Sequence, residues 1–135
     1  MTTGCEKVFS FANQNNDTLA VKATPWGGCC VTWWYHVAPL VRVRVSVRFD
    51  SFAFQFVLAL VIDPGMFDKP VLLSSWLMAQ ADTACSANAD VSMYSIQPGS
   101  AYAPANYAGT AFATDPTYAQ TDATLAAYAN LTTCP

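Results

Sequence analysis

A chain of 135 residues and 14.5 kDa is long enough to bury one hydrophobic core without help from a metal or disulfides. Its net charge of −3 and isoelectric point near 4.7 exclude broad binding to phosphate backbones, which needs clustered Lys and Arg. No run of about 18 consecutive apolar residues occurs, which excludes a membrane-spanning helix.

Charged residues make up only 11% of the chain, against about 25% in ordinary soluble domains. Hydrophobic residues reach 53% and the mean hydropathy is +0.25. So few charges imply an exterior intended for contact with other molecules. The N-terminal MTTGCEKVFSF lacks a basic region followed by an apolar block, so synthesis in a cytoplasm is expected.

In chain order, residues 7–24 predict two strands around the polar turn NQNND, with Phe9 and Phe11 alternating in one and Leu19, Val21 and Ala23 in the other. Pro25, Gly27 and Gly28 break the chain. CVTWWYHVA alternates again, placing Val31, Trp33, Tyr35 and Val37 on one face and Thr32, Trp34, His36 and Ala38 on the other, with Pro39 as an end, edge or bulge.

The most regular stretch is LVRVRVSVRFDSFAFQFVLALVI, residues 40–62. Its large apolar residues occupy odd positions up to Phe49 and even positions from Phe52. A straight strand cannot change phase in this way, whereas a hairpin turning at Asp50-Ser51 can; Asp-Ser is a poor pair for the primed turns of two-residue loops, so a bulged, bent single strand is the alternative. The resulting register pairs Phe49 with Phe52, Val47 with Phe54, Val45 with Phe56, Val43 with Leu58 and Val41 with Leu60. That face is expected to be core. On the other face Arg42, Arg44 and Arg48 fall opposite Ala59, Val57 and Ala53, leaving their charged heads for something outside the hairpin.

DPGMFDKP, residues 63–70, reads as a turn-rich connection. Residues 70–84 then show helical spacing through Leu73, Trp76, Leu77, Ala81 and Ala84. Residues 91–96 suggest a further short strand. From Gln97 the chain is rich in Ala, Pro and Gly, with aromatics recurring at Tyr102, Tyr107, Phe112 and Tyr118. This reads as an extended arm pinned by aromatic anchors. A terminal helix over 116–129, capped at Asp115-Pro116, would turn Leu125 and Tyr128 inward.

Catalytic candidates are few. His36 is the only histidine, so any Ser-His-Asp or Cys-His arrangement must use it; its place in mid-strand reads as structural. Zinc held by Cys29, Cys30 and His36 lacks the usual gap between cysteines. Asp63 belongs to a set of acids found mostly at turns, where Asp goes for backbone reasons. The five cysteines, Cys5, Cys29, Cys30, Cys85 and Cys134, read either as reduced buried residues or as candidates for one or two disulfides formed late.

The sequence thus predicts a mainly β protein, an antiparallel sandwich or barrel-like sheet with one or two short helices and an extended C-terminal arm. Residues 1–96 form a β-rich core domain and 97–135 an arm with a short terminal helix, in the same structural unit. The expected role is non-enzymatic: a structural subunit of a large assembly, a virus or phage capsid, coat or cement protein assembled in the cytoplasm. The alternative is a secreted or surface-displayed binding module, extracellular and disulfide-bonded, with a carbohydrate as its candidate ligand. Expected partners are copies of itself or other structural proteins, with nucleic acid disfavoured and no cofactor or metal. Arg42, Arg44, Arg48, Tyr102, Tyr107, Phe112 and Tyr118 are the candidate interface residues.

Overall fold

A computed structural model describes residues 5–128. In chain order its elements are β1 (Glu6–Phe11), β2 (Leu19–Ala23), β3 (Cys29–Trp33), β4 (Tyr35–Phe49), β5 (Phe52–Val61), β6 (Val71–Leu72), α1 (Leu73–Ala79), β7 (Met93–Pro98), β8 (Ala101–Pro104), β9 (Phe112–Thr114) and α2 (Ala119–Tyr128). The chain is mainly β, its paired strands antiparallel, as the alternation predicts. Five strands form one sheet in the order β6-β5-β4-β1-β7, with β1 between β4 and β7. Two ribbons, β2-β3 and β8-β9, complete the set.

Because successive strand residues face opposite ways, β1 feeds two cores. Val8 joins Val21, Ala38, Leu40, Val61, Met66 and Trp76 on one side of the sheet. Phe9 and Phe11 join Ala101 on the other, with Trp34, Tyr35, Val37 and Phe112 packed around them. The ribbon β2-β3 and α1 therefore cover the first face, and β8-β9 the second. The strands expected around NQNND both form, but they do not pair with each other: β1 joins the large sheet and β2 pairs with β3.

The run expected as one strand over residues 30–38 is broken at Trp34, between β3 and β4. The break separates Trp33, against the first core, from Tyr35 and Val37, against the second. Pro39 does not end the run. It lies within β4 opposite Lys7, and its carbonyl accepts a hydrogen bond from the Ile62 amide at 3.0 Å.

The β4-β5 hairpin has the register that the phase shift predicts, from Leu40 opposite Val61 to Phe49 opposite Phe52. Asp50 at the turn takes a left-handed φ of 45°, a conformation Asp tolerates better than most residues. Its apolar face is not core towards the tip, where Phe49 and Phe52 are 65% and 74% exposed. Beyond Leu40 the hairpin outruns β1, and little of the described chain lies over it.

Helix α1 is shorter than its apolar stripe suggests. Only Trp76 is fully buried from it, and the chain after Gln80 leaves the helix to bridge Ala20 of β2 through Ala81, and Thr18 just before it through Ala89. The C-terminal third lies on its own sheet through Phe112, whose ring sits 4.8 Å from that of Phe9. Asp115 fixes the start of α2 by accepting hydrogen bonds from the Thr121 amide and hydroxyl at 2.7 and 2.9 Å. Leu125, expected inward, is 64% exposed. Cys30 and Cys85 form a disulfide joining β3 to the segment after α1. Cys29 is also disulfide-bonded, Cys5 is free and exposed, and Cys134 lies outside the described residues.

One buried polar pair ties α1 to β1. The Ser10 hydroxyl donates to Gln80 Oε1 at 2.6 Å, and Gln80 Nε2 donates to the Trp76 carbonyl at 3.0 Å. Gln80→Leu strands the Ser10 hydroxyl and should destabilise the fold by about 2 kcal/mol in urea denaturation. Adding Ser10→Ala should recover part of that loss; additive losses would show that the pair is not coupled.

Candidate active site

Three segments converge on the sole histidine. β4 presents His36 on the same face as Ala38 and Leu40, with Ser10 of β1 as its cross-strand partner. The chain leaving β5 brings Asp63 beside it, and α1 brings Trp76. His36 Nε2 lies 2.7 Å from Asp63 Oδ2, and Trp76 Nε1 donates to the same oxygen at 2.8 Å. The other oxygen, Oδ1, accepts from the Gly65 amide at 3.2 Å, while the Asp63 carbonyl accepts from Met66 and Phe67. The DPG turn thus holds the carboxylate at both ends. The imidazole is stacked against Trp33, with ring centroids 4.6 Å apart and planes at 14°, and more distantly against Trp76 at 5.6 Å.

The side chain of Asp63 is nearly buried, at 8% exposure, whereas that of His36 keeps 20%. Burial acts to raise the Asp63 pKa. The hydrogen bond and charge of His36, the Trp76 N–H and the Gly65 N–H outweigh it and hold the carboxyl below its ordinary value. An ionised carboxylate only accepts, so His36 Nε2 must be the donor. In the neutral ring the lone pair then resides on Nδ1, which has no hydrogen-bond partner among the described residues. A histidine oriented by a buried carboxylate, with its second nitrogen open, can serve as a general base held in one tautomer.

No nucleophile from the described residues stands with it. Cys29, Cys30 and Cys85 are in disulfides. Cys5 precedes Ser10 by five residues on the strand facing His36, which puts it about 16 Å away. Ser10 is fully buried and donates to Gln80. No group of His, Cys, Asp and Glu among the described residues could hold a metal ion.

Residues 1–80 match a family model described as glutaminase. The chain belongs to the glutaminase family. No curated protein sequence matches it. Its fold is similar to solved structures of protein-glutaminase. The NMR structure of protein-glutaminase from Chryseobacterium proteolyticum is 30% identical, with a TM-score of 0.67, covering 97% of this chain and 62% of that one. A crystal structure of protein-glutaminase is 30% identical, with a TM-score of 0.70, covering 96% of this chain and 61% of that one. A crystal structure of pro-protein-glutaminase is also 30% identical, with a TM-score of 0.71, covering 96% of this chain and 40% of that one. The chain therefore spans about three fifths of the first two and two fifths of the third.

These findings overturn the expectation of a non-enzymatic virion or capsid subunit, together with its binding-module alternative: the family is one of enzymes. Scarcity of charge does not require a covered exterior, and it says nothing about a compact His–Asp pair. His36, read as structural, and Asp63, read as a turn residue, are the two groups the fold brings together.

The candidate interface residues lie elsewhere. Arg42 pairs with Glu6 at 2.7 Å, while Arg44 and Arg48 are exposed on the hairpin. Tyr107 stacks edge-on against Trp34, and the Tyr102 hydroxyl meets that of Thr124. Phe112 packs in the second core, and Lys7 lies over the Tyr118 ring.

A carboxyl with a lowered folded-state pKa stabilises the fold above its unfolded value and ceases to do so as pH falls through the folded value. Wild type should therefore lose stability, relative to Asp63→Asn, as pH drops below about 4. Urea denaturation of both between pH 7 and pH 3 measures this; a constant difference would contradict it. Trp76→Phe, which removes one donor to Oδ2, should cost about 2 kcal/mol at neutral pH.

Proposed function

We propose that His36 and Asp63 handle the protons in hydrolysis of glutamine side-chain amides on protein substrates. The observation that supports this most is the 2.7 Å contact between His36 Nε2 and Asp63 Oδ2, in a chain of the glutaminase family whose structural relatives are protein-glutaminases. In this reading Nδ1 takes the proton of the attacking nucleophile, and Asp63 stabilises the resulting imidazolium. As the C–N bond breaks, the same nitrogen returns the proton to the leaving amide nitrogen, and ammonia departs. Where the nucleophile is a thiol, water then hydrolyses the thioester and the thiol is regenerated; where it is water, the carboxyl forms directly. Either way a glutamate side chain is left in the substrate.

The described residues supply the base and its orienter. The nucleophile is water, or a thiol presented by chain other than the described residues. The Cys30–Cys85 bond is consistent with work in an oxidising compartment.

Ammonia release from a glutamine-containing protein tests the assignment. His36→Gln should slow it at least about 100-fold, while alkylating Cys5 should leave the rate unchanged. Equal rates for His36→Gln and wild type would overturn the proposal.

A further inference from the structure

Beyond Ala59, which packs at the edge of the first core, the outer part of the β4-β5 hairpin has no place in the site or in either core. Pairing with β1 stops at Leu40 and pairing with β6 at Leu60. From Arg42 opposite Ala59 to the turn, neither edge is paired by a described strand. The result is a two-stranded ribbon about 25 Å long. Such a ribbon is marginal alone in water, and needs a further layer against its apolar face.

Its two faces differ sharply. One carries Arg44 and Arg48 into solvent. The other carries no ionisable side chain and displays Phe49, Phe52, Phe54 and Phe56 at 65, 74, 50 and 38% exposure. The rings form a ladder, Phe49 stacked on Phe54 at 6.5 Å and Phe54 on Phe56 at 6.0 Å. At about 200 Å² per ring, the four leave roughly 450 Å² open, the size of the largest patch on a typical monomer.

We propose that two copies of this chain pair through these phenylalanine faces about a two-fold axis. Three observations favour a second copy. The face holds no charge, so identical faces meet without repulsion, and each supplies the apolar layer that the other lacks. With Val43, 39% exposed on the same face, two copies would bury about 1,000 Å², the lower limit for a specific interface. The antiparallel ribbon is self-complementary under a two-fold, with the arginine faces left outward in water.

A lipid surface fits less well. With the phenylalanines on the membrane, Arg44 and Arg48 point away from the headgroups. Entering tip first, the turn leads with Asp50, and the chain as a whole carries −3. The proposal goes beyond the hydrolytic reading and does not depend on it.

Light scattering and sedimentation of the 135-residue chain between about 1 and 200 µM test it, a range suited to an interface near the lower size limit. The expected result is a mass rising with concentration from 14.5 kDa to twice that value. Phe52→Asp with Phe54→Asp should weaken association at least tenfold. Both positions face solvent, and an unchanged near-ultraviolet spectrum would show the fold intact. If the Asp pair does disturb it, Phe52→Ser with Phe54→Ser serves instead. Arg44→Glu with Arg48→Glu should leave association unchanged. A monomer throughout the range, association insensitive to the phenylalanine changes, or a monomer that co-sediments with phosphatidylserine vesicles would each overturn the proposal.

Discussion

A buried carboxylate that accepts three hydrogen bonds organises this protein. Asp63 is held in a region that disfavours its charge, and remains ionised because His36, Trp76 and Gly65 all donate to it. Each donor comes from a different part of the chain: the central strand, the short helix and the turn that follows the hairpin. The same contacts that stabilise the charge therefore fix where those parts sit. From Trp76 the polar connections continue through its carbonyl to Gln80, and from Gln80 to Ser10, the cross-strand partner of His36. The loop closes on itself. No buried side-chain nitrogen or oxygen among the described residues is left without a partner, the condition under which a polar network in a core adds rigidity.

This explains why α1 can be so short. Its hold on the sheet comes from one indole, fully buried and hydrogen-bonded, and from Gln80 at its end. The disulfide from Cys30 to Cys85 fastens the segment that follows. Trp33, next to the break between β3 and β4, then lies flat against the imidazole. In an unbroken strand Trp33 and His36 would face opposite ways; the break puts both on the side of the first core, while Trp34 joins Tyr35 in the second.

Local pattern made much of this legible. The change of phase between Phe49 and Phe52 gives the hairpin and every rung of it, because a side-chain period of two leaves one register once the turn is fixed. Which face would be buried was not legible, since that depends on what else reaches the tip, and β1 ends opposite Leu40. The site lay just beyond the same reasoning. Continuing that register past Val61 sets Asp63 opposite Ala38, on the face that carries His36 and one diagonal away. Asp63 was instead assigned to its turn, a role it also fills. Trp76 was legible as the inward residue of a helix but not as a hydrogen-bond donor, because spacing reports burial and not the direction of an N–H. The arginine row met Glu6 only at Arg42, a contact between distant strands that no local pattern contains.

The account stands on Asp63 fixing the tautomer of His36. With a single histidine in the chain, nitrogen-15 NMR reads this without ambiguity. In the neutral ring the account predicts the proton on Nε2 and the lone pair on Nδ1, with that preference lost in Asp63→Asn. A neutral imidazole protonated on Nδ1, or a tautomer ratio that Asp63→Asn leaves unchanged, would contradict it.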